Sequence, residues 1–376
     1  MQYLDSAATT PVRREVLEAM WPFLTGDFGN PSSSHDLGER ASRALDGARA
    51  RIAVALGCRP GEVVLTSGGT EADNLAIKGV ALGTPRGRHI VTTAIEHEAV
   101  LESVDYLRRL HEFEVSFLEL DPDGRVNGDA LAAVLRPDTT LVSIHHANNE
   151  IGTVQDVATL AALAHEVGAP FHTDAVQSAP WFPVGLSSLG VDAVSISGHK
   201  LGAPKGVGAL AVAGRLGLEP LIHGGGQERG RRSGTENVAF AVGLATALDL
   251  VDEHRATADL VAASRDSLIA GVLAALPGAI VTGSRTNRLP GHASFCFPGT
   301  SGEGVLLELE RDGFLSSSGS ACAAGSDEPS HVLVALGIDP AVAQTSVRFT
   351  FDEPVDGAKI AAAVERAVTT LGGLRA

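Results

Sequence analysis

Between about residues 60 and 215, short β-like runs alternate with helical stretches, and that alternation leaves few folds open. The runs fall at 63–66, 89–93, 115–120, 141–145, 169–173, 193–196 and 208–212. Strands separated by helices form a mostly parallel sheet covered on both faces. Ligands of such sheets bind at the carboxyl ends of the strands. Polar clusters stand at five of those ends: 67–70, Glu96-His97, Asn148-Asn149, Asp174 and 197–200. From about residue 258 the pattern changes. A long helix over 260–276, a strand containing Ile280, a strand over 293–297, a helix from Glu303, a strand with Arg348 and a last helix from Asp356 read as a smaller α+β part.

Composition narrows the class further. The 376 residues are 44% apolar and 20% charged, a globular balance. A net charge of −16 argues against a broad nucleic-acid footprint and against an anionic membrane surface. The N-terminus has no signal-like pattern, and no window approaches the roughly 18 apolar residues of a membrane span. Cys58, Cys296 and Cys322 have neither metal-ligand spacing nor a disulfide framework. A reducing, cytoplasmic location is the expectation, in which a thiol can stay available for chemistry.

Ser67-Gly68-Gly69-Thr70 sits between a strand and a helix. Glycines let backbone approach a ligand, and a helix start offers N–H groups to a phosphate. An ordinary turn with Thr70 as N-cap is the alternative. Lys200 follows the 193–196 strand beside Ser197 and His199. It is one of four lysines, with Lys78, Lys205 and Lys359. A lysine at such a strand end, desolvated in a cationic pocket, can form an imine with an aldehyde. Asp174 can keep a pyridine nitrogen protonated, or it can cap a helix with Gln177 as the second half of a capping box. Arg348 suits a carboxylate, or is a surface strand arginine. The stretch 316–330, SSSGSACAAGSDEPS, is small and polar around Cys322, so a mobile loop is expected. Cys296, in an apolar strand pattern, and Cys58 read as packing residues.

Taken together, these blocks resemble the cysteine desulfurases of the NifS/IscS type, within the fold type I pyridoxal-phosphate (PLP) enzymes. The resemblance runs nearly the whole chain: LDSAATTP from Leu4, GNPSS from Gly29, SGGTEADN from Ser67, Glu96-His97 and HANNEIGTVQD from His146. It continues through HTDAVQS from His172, SGHKLGAPKGVGAL from Ser197, GGGQERGRRSGTEN from Gly224 and SSGSACAAGSDEPSHVL from Ser317. It implies a large domain over 14–257, with a mostly parallel seven-stranded sheet between helices. A small domain over 1–13 and 258–376 would carry the Cys322 loop.

The implied cofactor is pyridoxal 5'-phosphate, on Lys200. His97 would stack on its ring and act in acid–base steps, and Asp174 would pair with the ring nitrogen. Gln177 and Asn149 would lie near the phenolic oxygen and the substrate. Gly69, Thr70, Ser197 and His199 would hold the phosphate, with Thr235 reaching the phosphate of a neighbouring subunit in a homodimer. Arg348 would bind the substrate carboxylate. The implied reaction takes sulfur from L-cysteine onto Cys322, leaves alanine, and passes the persulfide to an acceptor protein such as an iron–sulfur scaffold.

Two departures concern the acceptor. Thr350-Phe351-Asp352-Glu353 stands where the family usually has a Leu-Gly-Arg-like stretch, and the chain stops soon after its last helix. Two other readings remain: another lyase or transaminase using the same cofactor, and a non-catalytic sulfur-trafficking partner.

Overall fold

The computed structural model describes residues 1–319 and 328–372. Its centre is a seven-stranded sheet: β2 (Val63–Thr66), β3 (His89–Thr93), β4 (Glu114–Leu118), β5 (Thr139–Ser143), β6 (Phe171–Asp174), β7 (Ala193–Ser197) and β8 (Gly208–Val212). The order across the sheet is β2-β8-β7-β6-β5-β3-β4. All pairs are parallel except the two made by β8. The cause is the link from β7 to β8, residues 198–207. It holds no crossover helix, and a parallel return needs one of about a dozen residues. Because β8 reverses, β2 points the same way as β7. The ends of β2, β3, β5, β6 and β7 therefore share one edge.

These strands are buried almost throughout. Helices on both faces explain their continuous β-branched and apolar runs. The Val238–Asp249 helix is the extreme case, apolar all round and nearly all buried against the Asp36–Ala55 and Arg14–Thr25 helices. A side chain at Gly243 would place its Cβ 2.7 Å from Met20 Sδ, so glycine permits that approach. Four expected strands, 63–66, 89–93, 193–196 and 208–212, are found to within one residue, and three, 115–120, 141–145 and 169–173, are displaced by one or two. β5 spans 139–143, yet its ladder to β6 continues, with Ile144 N–H on His172 O and His146 N–H on Asp174 O. That extension brings residues 145–149 to the shared edge.

A second sheet is antiparallel, with β9 (Ile280–Val281), β10 (His292–Cys296) and β12 (Ser346–Thr350) in the order β12-β10-β9. The helices Ala258–Ala275, Gly302–Arg311 and Gly357–Gly372 pack with it around Phe295, Phe349, Leu268 and Ile360. β1 (Gln2–Tyr3) pairs in parallel with β11 (Phe314–Leu315), and Leu4 is buried in this second core. The chain then crosses to the large sheet. Asp5 bridges to Thr350, Thr10 N–H donates to His199 O at 3.0 Å, and Arg13 N–H donates to Gly202 O at 2.9 Å. Among the described residues, no helix is long and apolar enough to cross a membrane.

Candidate active site

A cavity of about 320 Å³ opens at the shared strand edge. Lys200 reaches it from a single 3-10 turn, Gly198–Lys200, directly after β7. A Cβ on Gly198 would lie 2.8 Å from Val207 Cγ1, so the turn closes only around glycine. Lys200 Nζ donates to the carbonyl oxygens of Ala7 and Ala8, the latter at 2.7 Å. His199 Nδ1 lies 3.1 Å from Thr9 Oγ1. Burial, then the Lys200 and Lys205 cations, push the His199 pKa down to about 4, so its ring is neutral at pH 7. The other lysines are elsewhere. Lys205 is exposed, Lys78 is bonded to Asn74 Oδ1 at 2.6 Å beneath Tyr106, and Lys359 lies over Phe314.

Opposite Lys200 the floor is carboxylic. Asp174 ends β6, buried, with Oδ1 accepting from Val176 N–H at 2.8 Å. A turn rather than a helix follows, so the helix-capping alternative for Asp174 and Gln177 falls away. Gln177 instead donates through Nε2 to Ala7 O at 3.1 Å. Burial raises the Asp174 pKa, and the adjacent His97 opposes the rise. His97 caps the Glu98–His111 helix, its Nδ1 accepting from Ala99 N–H at 3.1 Å. A neutral His97 therefore carries its proton on Nε2.

The Gly68-Gly69 turn borders the same cavity. Gly68 has φ +155°, and a Cβ on Gly69 would come within 2.8 Å of Val176 Cγ2. The helix starts at Gly69 with Gly68 as its cap, so Thr70 is not the N-cap; it lies one residue inside. Ser197 lines the cavity from the end of β7.

The class-V aminotransferase family matches residues 2–355. A cysteine desulfurase IscS of Dictyoglomus turgidum is 47% identical over 350 residues, which are 93% of this chain and 89% of that one. A solved NifS-like protein superposes with a TM-score of 0.90 at 36% identity, covering 98% of this chain and 99% of its own. A solved SspA in complex with cysteine gives a TM-score of 0.82 at 37% identity, with 94% and 100% covered. The chain belongs to the cysteine desulfurases of the class-V aminotransferase family. The resemblance, the fold type and the enzyme class expected from the motifs are thereby borne out.

This desulfurase builds the third wall of its pocket from the second sheet. Arg348 on β12 is only 2% exposed, which rules out a surface strand arginine. Its Nη2 pairs with Asp5 Oδ1 at 2.9 Å and its Nη1 donates to Asn149 O at 3.0 Å. Nε is buried without a partner among the described residues. Asn149 is presented by Asn148, whose Oδ1 accepts from Glu150 N–H at 2.8 Å and Ile151 N–H at 3.0 Å.

Ten of the expected residues thus share one cavity: Lys200, His97, Gly69, Thr70, Asn149, Asp174, Gln177, Ser197, His199 and Arg348. Thr235 does not; it lines a separate space of about 210 Å³ with Ser67, Glu228 and Arg232. Cys322 lies outside the described residues. The described residues near it adjoin the pocket. Gly319 lines it, and Ser330 Oγ donates to Glu150, a lining residue, at 2.5 Å. Four contributors escaped the sequence reading: Asp73, His145, and the carbonyls of Ala7 and Ala8. Asp73 carried one signal, a carboxylate on an otherwise apolar helix face.

Proposed function

We propose that this enzyme converts L-cysteine to L-alanine and holds the removed sulfur as a persulfide on Cys322. One observation carries the reading: Lys200, Asp174 and the buried Arg348 converge on one cavity from three directions. The volume lies within the roughly 300–1,000 Å³ of small-molecule sites. The residues present fit pyridoxal 5'-phosphate. An amine, a buried carboxylate and a glycine cradle too tight for a Cβ correspond to its aldehyde, ring nitrogen and phosphate. When bound, that group supplies an electron sink for the carbon that loses its proton.

The chain does the rest. Gly69, Thr70, Ser197 and the neutral His199 would hold the phosphate, with backbone N–H groups at the helix start. Asp174 would keep a proton on the ring nitrogen, and His97 would pack against the ring. Asn149 and Gln177 would orient the phenolic oxygen and the substrate. Arg348 takes the substrate carboxylate, using the edge that carries its unpartnered Nε. Lys200 removes the α-proton and returns one. The Cys322 thiolate bonds to the substrate sulfur as the Cβ–S bond breaks. Carbon keeps that electron pair and is protonated, so no outside oxidant is needed.

The proposal extends to the assembly. The chain divides into 14–257 and 1–13 with 258–376, and the pocket lies where the two parts meet. It works as a homodimer in which Thr235 serves the neighbouring site, so its separation from this pocket is expected. It acts in the cytoplasm and hands sulfur to an acceptor protein for iron–sulfur assembly or another thiolation. The test is the visible absorption of the purified protein, before and after L-cysteine. A coloured protein whose bands change as alanine forms supports the reading. A colourless protein that takes up no added pyridoxal phosphate sinks it in favour of a non-catalytic partner. Alanine that forms only with an added keto acid indicates a transaminase.

A further inference from the structure

The pocket floor gathers three carboxyl groups, Asp73, Asp174 and Glu96, none more than 8% exposed. Three charges so placed cannot all persist without compensation. Burial, then the charge of Asp174, push the Asp73 carboxyl well above the usual range, which favours its neutral form. Glu96 is handled differently. Its Oε1 accepts from Thr93 Oγ1 at 2.7 Å and lies 2.8 Å from His145 Nδ1, while its Oε2 accepts from His145 N–H at 2.9 Å. Both carboxylate oxygens therefore grip one histidine, ring and backbone. His145 is 3% exposed and lines the cavity. Its Nε2 is buried with no hydrogen-bond partner among the described residues. The bond from His146 N–H to Asp174 O, 2.8 Å, sets residue 145 beside Asp174 at the strand ends.

We propose that His145, fixed by Glu96, is a positioning residue that keeps the neighbouring Asp174 carboxylate charged, and so sets how firmly the floor holds a proton on a heteroaromatic nitrogen placed against it. The inference rests on Asp174 as the ring partner. The ion pair of Glu96 with His145 offsets its own charge, burial favours a neutral Asp73, and Asp174 is the carboxyl left to face the cavity. Burial disfavours the charged ring of His145, but Glu96 and Asp174 outweigh it and raise its pKa above the ordinary value. The neighbouring histidines shift the other way. His146 is pushed down to about 4 by burial and then by His145, and His172, behind Asp73, to about 3 by burial. His97 adjoins Asp174, His331 Nε2 lies 3.0 Å from Glu96 O, and Lys200 lines the same cavity.

Two readouts on the full-length protein test this. Histidine side-chain NMR, with His145 assigned by the signals missing in His145→Gln, should show His145 titrating above the ordinary value of about 6.5. In the holoenzyme, His145→Gln should move the pH midpoint of the bound cofactor's visible absorption up by about one unit. Glu96→Gln combined with His145→Gln removes both charges and should recover at least half of that shift; a merely structural role moves neither. A His145 that titrates below the ordinary value, or an unmoved midpoint in His145→Gln, overturns the assignment. Should the variants not fold, His145 is assigned instead by through-bond connection of its ring to its own backbone signals in the unsubstituted protein, and that titration decides alone. Because that titration does not depend on turnover, a protein with the stated His145 but no persulfide refutes the proposed function and leaves this inference standing.

Discussion

The floor of the pocket and its rim achieve charge control in opposite ways. At the floor, Asp73, Glu96, His145 and Asp174 are all buried; burial raises the pKa of Asp73 and of Asp174, whereas at His145 its carboxyl neighbours outweigh burial. At the rim, Arg348 is equally buried but paired with Asp5 and the Asn149 carbonyl, while its Nε has no partner among the described residues. In the function proposed above, the floor would stabilise charge that develops during the reaction, and the rim would receive a charge that arrives with the substrate. Between them stands Lys200, anchored on the carbonyls of Ala7 and Ala8, in the same segment that supplies Asp5 to the rim.

That contrast can be broken at several points. Lys200→Ala should abolish turnover, by a factor of about 10³ or more, since in the proposed function it removes both the imine-forming amine and the proton carrier. Steady-state alanine formation is the assay; near-normal rates would remove Lys200 from the chemistry. Asp174→Asn tests the floor. We expect kcat to fall roughly 10²-fold or more with KM little changed, because a weakened electron sink acts on the transition state. Arg348→Lys tests the rim and should do the reverse. KM for L-cysteine should rise about 30- to 100-fold, the equivalent of about 2–3 kcal/mol for a charge-assisted bidentate contact, with kcat within a few-fold. If both variants changed kcat and KM in the same proportion, the two regions would not differ as described.

The smallest expected effect concerns stability. Burial holds His172 neutral with its pKa at about 3, below the ordinary value of about 6.5. A depressed histidine contributes stability that is present above pH 6.5 and lost as pH falls towards 3, where the unfolded chain binds the proton more readily. Thermal melts between pH 7 and 4 should therefore fall with pH. They should fall less steeply in His172→Gln, which loses stability at pH 7. An unchanged slope would mean that the floor histidines do not titrate as their burial implies.

The same contrast explains what could be read from the chain alone. Gly69, Asp174 and Lys200 were legible because each follows a recognisable strand, and the parallel sheet sends such residues to one edge. The role of His145 was not, since it depends on depth and on Glu96, 49 residues away. The rim was hidden for a different reason. β12 is the outer strand of its sheet, so an arginine there reads as exposed. It is buried because Asp5, 343 residues earlier in the chain, crosses it. The alternative of Asp174 as a helix cap could be dismissed only from the structure, where its strand ends in a turn.

The central claim, that sulfur leaves cysteine for Cys322 in a pocket built around Lys200, has one direct measurement. The purified enzyme, given stoichiometric L-cysteine without a sulfur acceptor, is digested and the peptide containing Cys322 is weighed by mass spectrometry while alanine is counted. The account predicts one added sulfur atom on Cys322 for each alanine formed, and neither in Cys322→Ala. Alanine released at the original rate by Cys322→Ala, or sulfur found on Cys58 or Cys296 instead, would contradict it.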